Sequence, residues 1–111
     1  MTALLALQHG IACNTAGGSH HAGAAHGAGY CLFNDVAIAA RVLQASCLAM
    51  NMLVVDLDVH QGDGTAEIFR GDGAVFTFSM HCQDNFPVRK QSSDLDIGLP
   101  SGTGDRDYLD I

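Results

Sequence analysis

The segment Met52-Leu-Val-Val-Asp-Leu-Asp-Val-His60 limits the possible folds more than any other part of the chain. It begins with four apolar residues, two of them β-branched valines, which is typical of a buried strand in a parallel sheet. Turn-forming residues, Gln61-Gly-Asp-Gly64, then break the pattern. Side chains two positions apart on a strand share a face. We therefore expect Asp56, Asp58 and His60 to point the same way at the carboxyl end of the strand, where open α/β sheets bind their ligands.

The rest of the chain alternates helical and strand patterns around this segment. The predicted elements are a short helix or strand over 1–12, a loop over 16–29, a helix over 34–49, strands over 52–55 and 74–79 separated by a short helix over 65–70, loop over most of 83–105 with an apolar–polar stretch at 95–99, and a helix start at 105–111. This order predicts one α/β domain, residues 1–111, with a βαβ-type parallel sheet.

Composition excludes several classes of protein. The 111 residues are 48% hydrophobic, which argues against disorder, and carry 5 basic against 12 acidic residues, a net charge of −7. That charge argues against direct binding of nucleic acid or of an anionic membrane surface, and no apolar run approaches the roughly 20 residues of a membrane span. The four cysteines include no C-x-x-C pair. We expect a cytoplasmic protein with reduced thiols.

Carboxylate and imidazole side chains together suit zinc or another borderline divalent ion. A catalytic zinc site has about three protein ligands and an open position, and the spacing predicts two of them, Asp58 and His60. Charged residues at a strand end also commonly cap the next helix, so that role remains open for Asp56. A calcium EF-hand spacing from Asp56 to Glu67 is disfavoured, because Gln61 stands where that loop requires glycine.

Two adjacent histidines, His20 and His21, stand in a loop that contains five glycines between residues 17 and 29. One imidazole can act as a base on water while its neighbour donates a proton or hydrogen bond. A histidine used in this way needs a carboxylate on its other ring nitrogen, and Asp56 and Asp63 are available. The alternative is a pair of solvent-exposed loop histidines.

Five segments, in order, resemble segments of the histone deacetylase superfamily: Gly17–Ala22, Gly29–Val36, Val55–Gly64, Val75–His81 and Gly104–Leu109. Gln61 after the proposed metal histidine, and the Gly-Gly-Ser-His-His opening, look more like bacterial and class IV-like members. The resemblance implies the central part of an arginase-deacetylase fold, which in full has many parallel strands flanked by helices. It also implies zinc-dependent hydrolysis of acetyl-lysine in proteins, of acetylated polyamines or of related small amides.

The resemblance also implies roles for individual residues. Asp58 and His60 would bind zinc (Zn2+), and His21 would be the general base. The partners would be His20 as the electrostatic or acid group, Asp56 orienting His20, and Asp63 orienting His21.

Two further groups of residues follow from the resemblance. Tyr30 and Phe86 would form the aromatic walls of the acyl-lysine channel. A structural potassium ion (K+) would be surrounded by Ser79 and by the backbone at Asp56, Asp58, His60 and Met80.

The chain also departs from the family pattern. The family's third zinc ligand, a downstream Asp, and its transition-state tyrosine have no match here, since Tyr108 corresponds to a structural Asp-x-x-Tyr-Leu helix start. We expect an internal, truncated piece that is a poor deacetylase alone. The alternative function is a non-catalytic remnant that binds metal weakly or acts only as an interaction fragment. Uncovered strand edges would favour self-association.

Overall fold

The computed structural model describes all residues 1–111. Its elements are α1 (Thr2–His9), α2 (Asp35–Ala45), β1 (Met52–Asp56), α3 (Asp63–Phe69), β2 (Val75–Cys82), β3 (Leu95–Leu99) and α4 (Asp105–Leu109). No helix has the length and apolar character that crossing a membrane requires.

The three strands form one sheet in the order β1-β2-β3, and both pairs are parallel. The predicted α/β class with a parallel sheet is therefore confirmed. Met52 of β1 pairs with Val75 of β2, and Asp56 pairs with Ser79. Because the strands are parallel, their carboxyl ends lie at one edge of the sheet.

Two predicted boundaries and one expected position are wrong. Helix α2 follows its N-cap Asn34 and ends at Ala45 rather than 49, and the chain then turns through Cys47, whose φ of 53° is left-handed. Strand β2 extends to Cys82 rather than 79. Strand β1 ends at Asp56, so Asp58 and His60 lie beyond it.

The core occupies one face of the sheet. Ala37 and Ala40 of α2 pack with Phe69 of α3 and Val75 of β2, and Met52, Val54 and Ile68 pack against this cluster. Phe69 and Val75 are among the three largest fully buried side chains. Alanines at this contact let α2 approach the sheet closely, because they have the smallest β-carbon side chain.

The opposite face of β1 is open. Leu53 and Val55 are 64% and 53% exposed, and Phe76 of β2 is 48% exposed. The sequence predicted a strand buried on both faces, and in this chain that prediction is wrong. The physical reason is that α2 and α3 cover the other face, where Val54 lies.

Candidate active site

Two histidine–carboxylate pairs lie side by side at the carboxyl edge of the sheet. The Nδ1 atom of His20 is 2.5 Å from Oδ2 of Asp56, and that of His21 is 2.6 Å from Oδ1 of Asp63. The two imidazole rings are stacked at a tilt with centroids 4.2 Å apart. Both histidines are buried, at 8% and 6% exposure. The alternative of two solvent-exposed loop histidines is therefore wrong.

The charges around His20 favour its protonated form. Burial lowers the pKa of His20, but the hydrogen bond and negative charge of Asp56, helped by Asp58 and Asp63, outweigh it, and the pKa lies above 6.5. Burial without such carboxylates would lower the pKa of a histidine instead, because it disfavours the charged imidazole.

The loop that carries the two histidines is fixed by the start of α2. The Asn34 side chain accepts a hydrogen bond from Ala37 N as the helix N-cap, and its Nδ2 donates to Ala22 O at 3.1 Å and to Thr65 Oγ1 at 3.0 Å. Next to it, the Asp35 carboxylate accepts from Ser19 N at 2.7 Å. One helix terminus therefore holds both the loop and α3.

Glycines let the backbone approach the histidine rings. A β-carbon at Gly29, where φ is +52°, would overlap the ring of His21. A β-carbon at Gly62 would overlap Asp56 and would lie 3.1 Å from Nδ1 of His20. Any side chain at either position would push the adjacent imidazole away from its carboxylate.

Asp58 and His60 converge by a different route from the one that the sequence predicted. They do not continue the strand face. Instead, Asp58 N donates to Asp56 Oδ1 at 3.0 Å, and His60 N donates to Asp58 Oδ1 at 2.7 Å. These two consecutive side-chain-to-backbone turns fold the chain back, so that Asp58 Oδ1 lies 2.9 Å from His60 Nδ1.

The pKa of Asp58 is lowered, although burial acts to raise it, because hydrogen bonds from the His60 backbone and side chain stabilise its carboxylate. Its Oδ1 also lies 3.9 Å from Nε2 of His20. No group of three His, Cys, Asp or Glu side chains is arranged to hold a metal ion. The chain thus brings together the two predicted ligands and no third.

The two predicted channel aromatics differ in position. The ring of Phe86 meets His21 edge-on with centroids 4.9 Å apart, and it lies 6.2 Å from His60. Tyr30 follows Gly29 but is fully exposed, with φ of 63°. Phe86 therefore stands beside the histidine cluster, whereas the Tyr30 side chain extends into solvent.

Of the residues predicted to surround potassium, Asp56 and Ser79 are neighbours across β1 and β2, whereas Asp58 and His60 lie beyond the end of β1. Ser79 is the register partner of Asp56, and it is 2% exposed with its Oγ 3.0 Å from His81 Nδ1. Met80 follows it and is 8% exposed.

The sequence analysis missed three residues whose side chains connect separate segments at this edge of the sheet. They are Asn34, Asp35 and Gln61. Asn34 and Asp35 stand at the predicted start of a helix, but their bonds to the histidine loop span 12 and 16 residues. Gln61 is 1% exposed. Its position directly after His60 was visible in the sequence, but its hydrogen-bond partners, Gln91 and Asp96, are 30 and 35 residues away.

Comparison with known proteins gives a consistent result. The family model described as "Histone deacetylase domain" matches residues 1–111. The chain is 63% identical over 111 residues to an uncharacterized protein of Picosynechococcus sp., covering 100% of this chain and 37% of that protein. It is 40% identical over 88 residues to histone deacetylase 6 of Caenorhabditis elegans, covering 77% of this chain and 9% of that protein.

A solved structure described as an HDAC homolog from Aquifex aeolicus superposes with a TM-score of 0.83 and 29% identity, covering 96% of this chain and 32% of that one. The HDA15 HD domain superposes with a TM-score of 0.67 and 36% identity, covering 81% of this chain and 30% of that one. The chain therefore spans less than two fifths of the length of these relatives.

Proposed function

The chain belongs to the histone deacetylase family, and from this premise we propose that residues 1–111 provide the histidine pair and two metal ligands of a zinc-dependent deacetylase. The observation that carries this proposal is the pair of buried histidines, each with Nδ1 within 2.6 Å of a carboxylate, beside Asp58 and His60. The proposed substrates are acetylated lysine peptides, acetylated polyamines or similar small amides.

The donor atoms are compatible with zinc. Asp58 supplies a carboxylate and His60 an imidazole, both of which zinc accepts as ligands, and the two side chains lie together, with Asp58 Oδ1 2.9 Å from His60 Nδ1. Zinc held there would polarise the acyl carbonyl and lower the pKa of water. Since no third ligand joins this pair within the chain, we propose that it comes from outside residues 1–111.

The two histidines have different proposed roles. His21 Nδ1–H donates a hydrogen bond to Asp63 Oδ1, which leaves Nε2 free to take a proton from the attacking water. His20, whose pKa is raised by Asp56, would stabilise negative charge or supply a proton to the departing amine. The Nδ1 tautomer is assigned from the facing carboxylates.

The remaining proposed parts are supporting ones. Phe86 and Tyr30 would form the walls of the acyl-lysine channel, and Ser79 with the backbone at Asp56, Asp58, His60 and Met80 would surround potassium. The four cysteines are unpaired, which supports a reducing, cytoplasmic setting. With a net charge of −7, the protein has no proposed contact with nucleic acid or a membrane.

The test uses a chimera in which residues 1–111 replace the matching 37% of the Picosynechococcus relative. We expect the chimera to retain zinc through dialysis and to hydrolyse a fluorogenic acetyl-lysine peptide or acetylated polyamine, and we expect His21→Ala to abolish hydrolysis while zinc stays bound. The 111-residue chain alone should show little or no turnover. Full activity of the His21→Ala chimera would overturn the proposal.

The alternative, a non-catalytic interaction fragment, is supported by one specific observation. Leu53, Val55 and Phe76 form an exposed apolar face beside the edge strand β1, and such a face can pair with another chain. A chimera that binds no zinc and hydrolyses no acetylated amine, while the 111-residue chain self-associates in sedimentation, would favour this function.

A further inference from the structure

We propose that Gln61 is a positioning residue that, together with Lys90, fixes the aromatic wall Phe86 against the histidine pair. This inference rests on the proposed function for its catalytic consequence, but not for its structural part. Neither Gln61 nor Lys90 has a role in the mechanism derived above.

Gln61 directly follows His60, and its side chain is 1% exposed. Both heteroatoms of its amide bind Gln91, which lies between β2 and β3, and the nitrogen also binds Asp96 in β3. Nε2 donates to Gln91 O at 2.9 Å and to Asp96 Oδ1 at 2.8 Å, while Oε1 accepts from Gln91 N at 2.8 Å. The side chain thus binds the backbone of Gln91 from both sides, as a neighbouring strand would.

Lys90 continues this connection to Phe86. Its Nζ donates to Asn85 O at 2.6 Å and to Pro87 O at 2.7 Å. These carbonyls belong to the residues immediately before and after Phe86, whose ring lies edge-on against His21 at 4.9 Å. A continuous set of bonds therefore leads from His60 through Gln61, Gln91 and Lys90 to the turn that presents Phe86.

We call the hydrogen bonds of Gln61 to Gln91 and Asp96, together with those of Lys90 to Asn85 and Pro87, the clamp. The groups that face position 61 require a glutamine there. Two facing acceptors, Gln91 O and Asp96 Oδ1, need two N–H donors from one nitrogen, and Gln91 N needs an acceptor from the same side chain. Glutamate has the same shape but would place a carboxylate against Asp96. Methionine fills a similar volume but takes away the hydrogen-bond partner of Gln91 N, Gln91 O and Asp96 Oδ1.

If the clamp opens, Phe86 moves away from His21 while the histidine–carboxylate pairs stay in place, because their bonds involve other residues. The expected kinetic signature is a rise in KM, with kcat changed less. Misplacement of a substrate-positioning group by about 1 Å can lower the reaction rate on the order of 10²-fold. We therefore expect kcat/KM to fall about 10- to 10²-fold.

The structural experiment uses the 111-residue chain, which contains no tryptophan, so that Phe86→Trp creates a single fluorescent probe. We expect Gln61→Met, Gln61→Glu and Lys90→Met in that background each to shift the emission to the red and to increase acrylamide quenching. The double variant, Gln61→Met with Lys90→Met, should change the fluorescence little more than either single variant. Both side chains belong to the same connected set of bonds, so their effects should not add.

The matched control is Gln91→Met. The clamp uses only the backbone of Gln91, and its side chain binds Arg70 instead, so we expect its emission and quenching to equal those of the parent. Unchanged fluorescence in both Gln61→Met and Lys90→Met, with circular dichroism matching the parent, would overturn the proposal. An equal change in Gln91→Met would overturn it as well. If Gln61→Met does not fold, Lys90→Met decides alone, since it removes only bonds at the loop.

The kinetic experiment uses the same variants, without the Phe86→Trp probe, in the chimera with zinc content measured beside the rates. A rise in KM at unchanged zinc content supports the positioning role. A loss confined to kcat, or a loss of zinc, would overturn it, because Gln61 would then act by positioning His60 and not Phe86. If the parent chimera hydrolyses no acetylated amine, the proposed function fails, while the fluorescence result still decides whether the clamp exists.

Discussion

The carboxyl edge of the sheet and the open apolar face of β1 lie on the same strands but differ in how completely the chain supplies their partners. At the edge, every fully buried side-chain nitrogen and oxygen has a hydrogen-bond partner. On the face, Leu53 and Val55 remain 64% and 53% exposed. A polar atom needs one or two well-placed partners, whereas an apolar face needs a continuous opposing surface whose stabilisation scales with buried area.

This difference teaches that a chain can pair all the buried polar atoms of a candidate site while it leaves an apolar surface uncovered. The bonds at the edge are made between segments as far apart as residues 20 and 56 or 21 and 63, yet all lie within 111 residues. Substitutions at the edge should therefore have large effects on chemistry and folding, whereas substitutions on the open face should affect mainly association.

The largest expected effect is at Asp63. Asp63→Asn in the chimera should lower turnover about 10²–10⁴-fold, the usual contribution of general acid–base catalysis, because a neutral amide does not stabilise the charged imidazole of His21. Zinc content should stay unchanged. Asp84→Asn, at an exposed position, is the control, and an equal rate in Asp63→Asn would show that the pair has no catalytic role.

Asp58→Ala should weaken zinc binding in the chimera by more than about 10²-fold, since even residues that only support metal ligands contribute 10–100-fold. Elemental analysis after dialysis, with the exposed Asp105→Ala as control, measures this. Full zinc occupancy in Asp58→Ala would remove Asp58 from the ligand set.

Asn34 tests whether the edge also stabilises the fold. Asn34→Ala should lower the free energy of unfolding by about 2–4 kcal/mol, combining a lost helix cap of about 1 kcal/mol with buried groups left unpaired at about 1–3 kcal/mol. Asn34→Ser should recover the cap contribution only. Urea unfolding followed by circular dichroism distinguishes the two variants. Equal stability of the parent and both variants would contradict a stabilising role for the Asn34 hydrogen bonds to Ala22 and Thr65.

Val54 and Val55 provide a matched pair on opposite faces of one strand. Val54→Thr places a hydroxyl against the core and should lower the free energy of unfolding by about 1–2 kcal/mol. Val55→Thr lies on the open face and should change stability by no more than about 0.5 kcal/mol, while it reduces self-association measured by sedimentation. Equal costs would mean that the open face is covered in solution.

The smallest expected effect is at Asp94, whose carboxylate accepts hydrogen bonds from Thr77 N and Oγ1, each at 2.8 Å. The bond from the Thr77 backbone, followed by that from its side chain, lowers the pKa of Asp94 below 3.8. A lowered folded-state pKa gives stability that is present above 3.8 and is lost as pH falls through the folded value. Asp94→Asn should therefore be slightly less stable than the parent at pH 6, and the difference should shrink on acidification. A difference that grows in acid would reverse the assigned sign.

Much of this arrangement was predictable from sequence. The apolar run at 52–55, the turn at 61–64 and the glycine-rich loop at 16–29 predicted a parallel α/β sheet with polar residues at its carboxyl edge, and the fold is confirmed. The route by which Asp58 and His60 converge was not predictable from strand periodicity, because Asp56 and Asp58 bind the backbone two residues ahead and end the strand. In such turns a side-chain carboxylate replaces the carbonyl of a neighbouring strand as the acceptor for a backbone N–H group. This replacement depends on local backbone geometry, which the alternation of apolar and polar residues does not show.

The sequence by itself determined the parallel α/β class, the candidate residues and the family resemblance, because these depend on residue types at short, fixed spacings. Only the tertiary structure decided that Asp56 faces His20 and Asp63 faces His21, that Asn34 holds the histidine loop, and that Gln61 binds Gln91 and Asp96. These contacts join residues 12 to 42 positions apart. Their geometry is set by how α2 and α3 pack on the sheet, which no local pattern specifies.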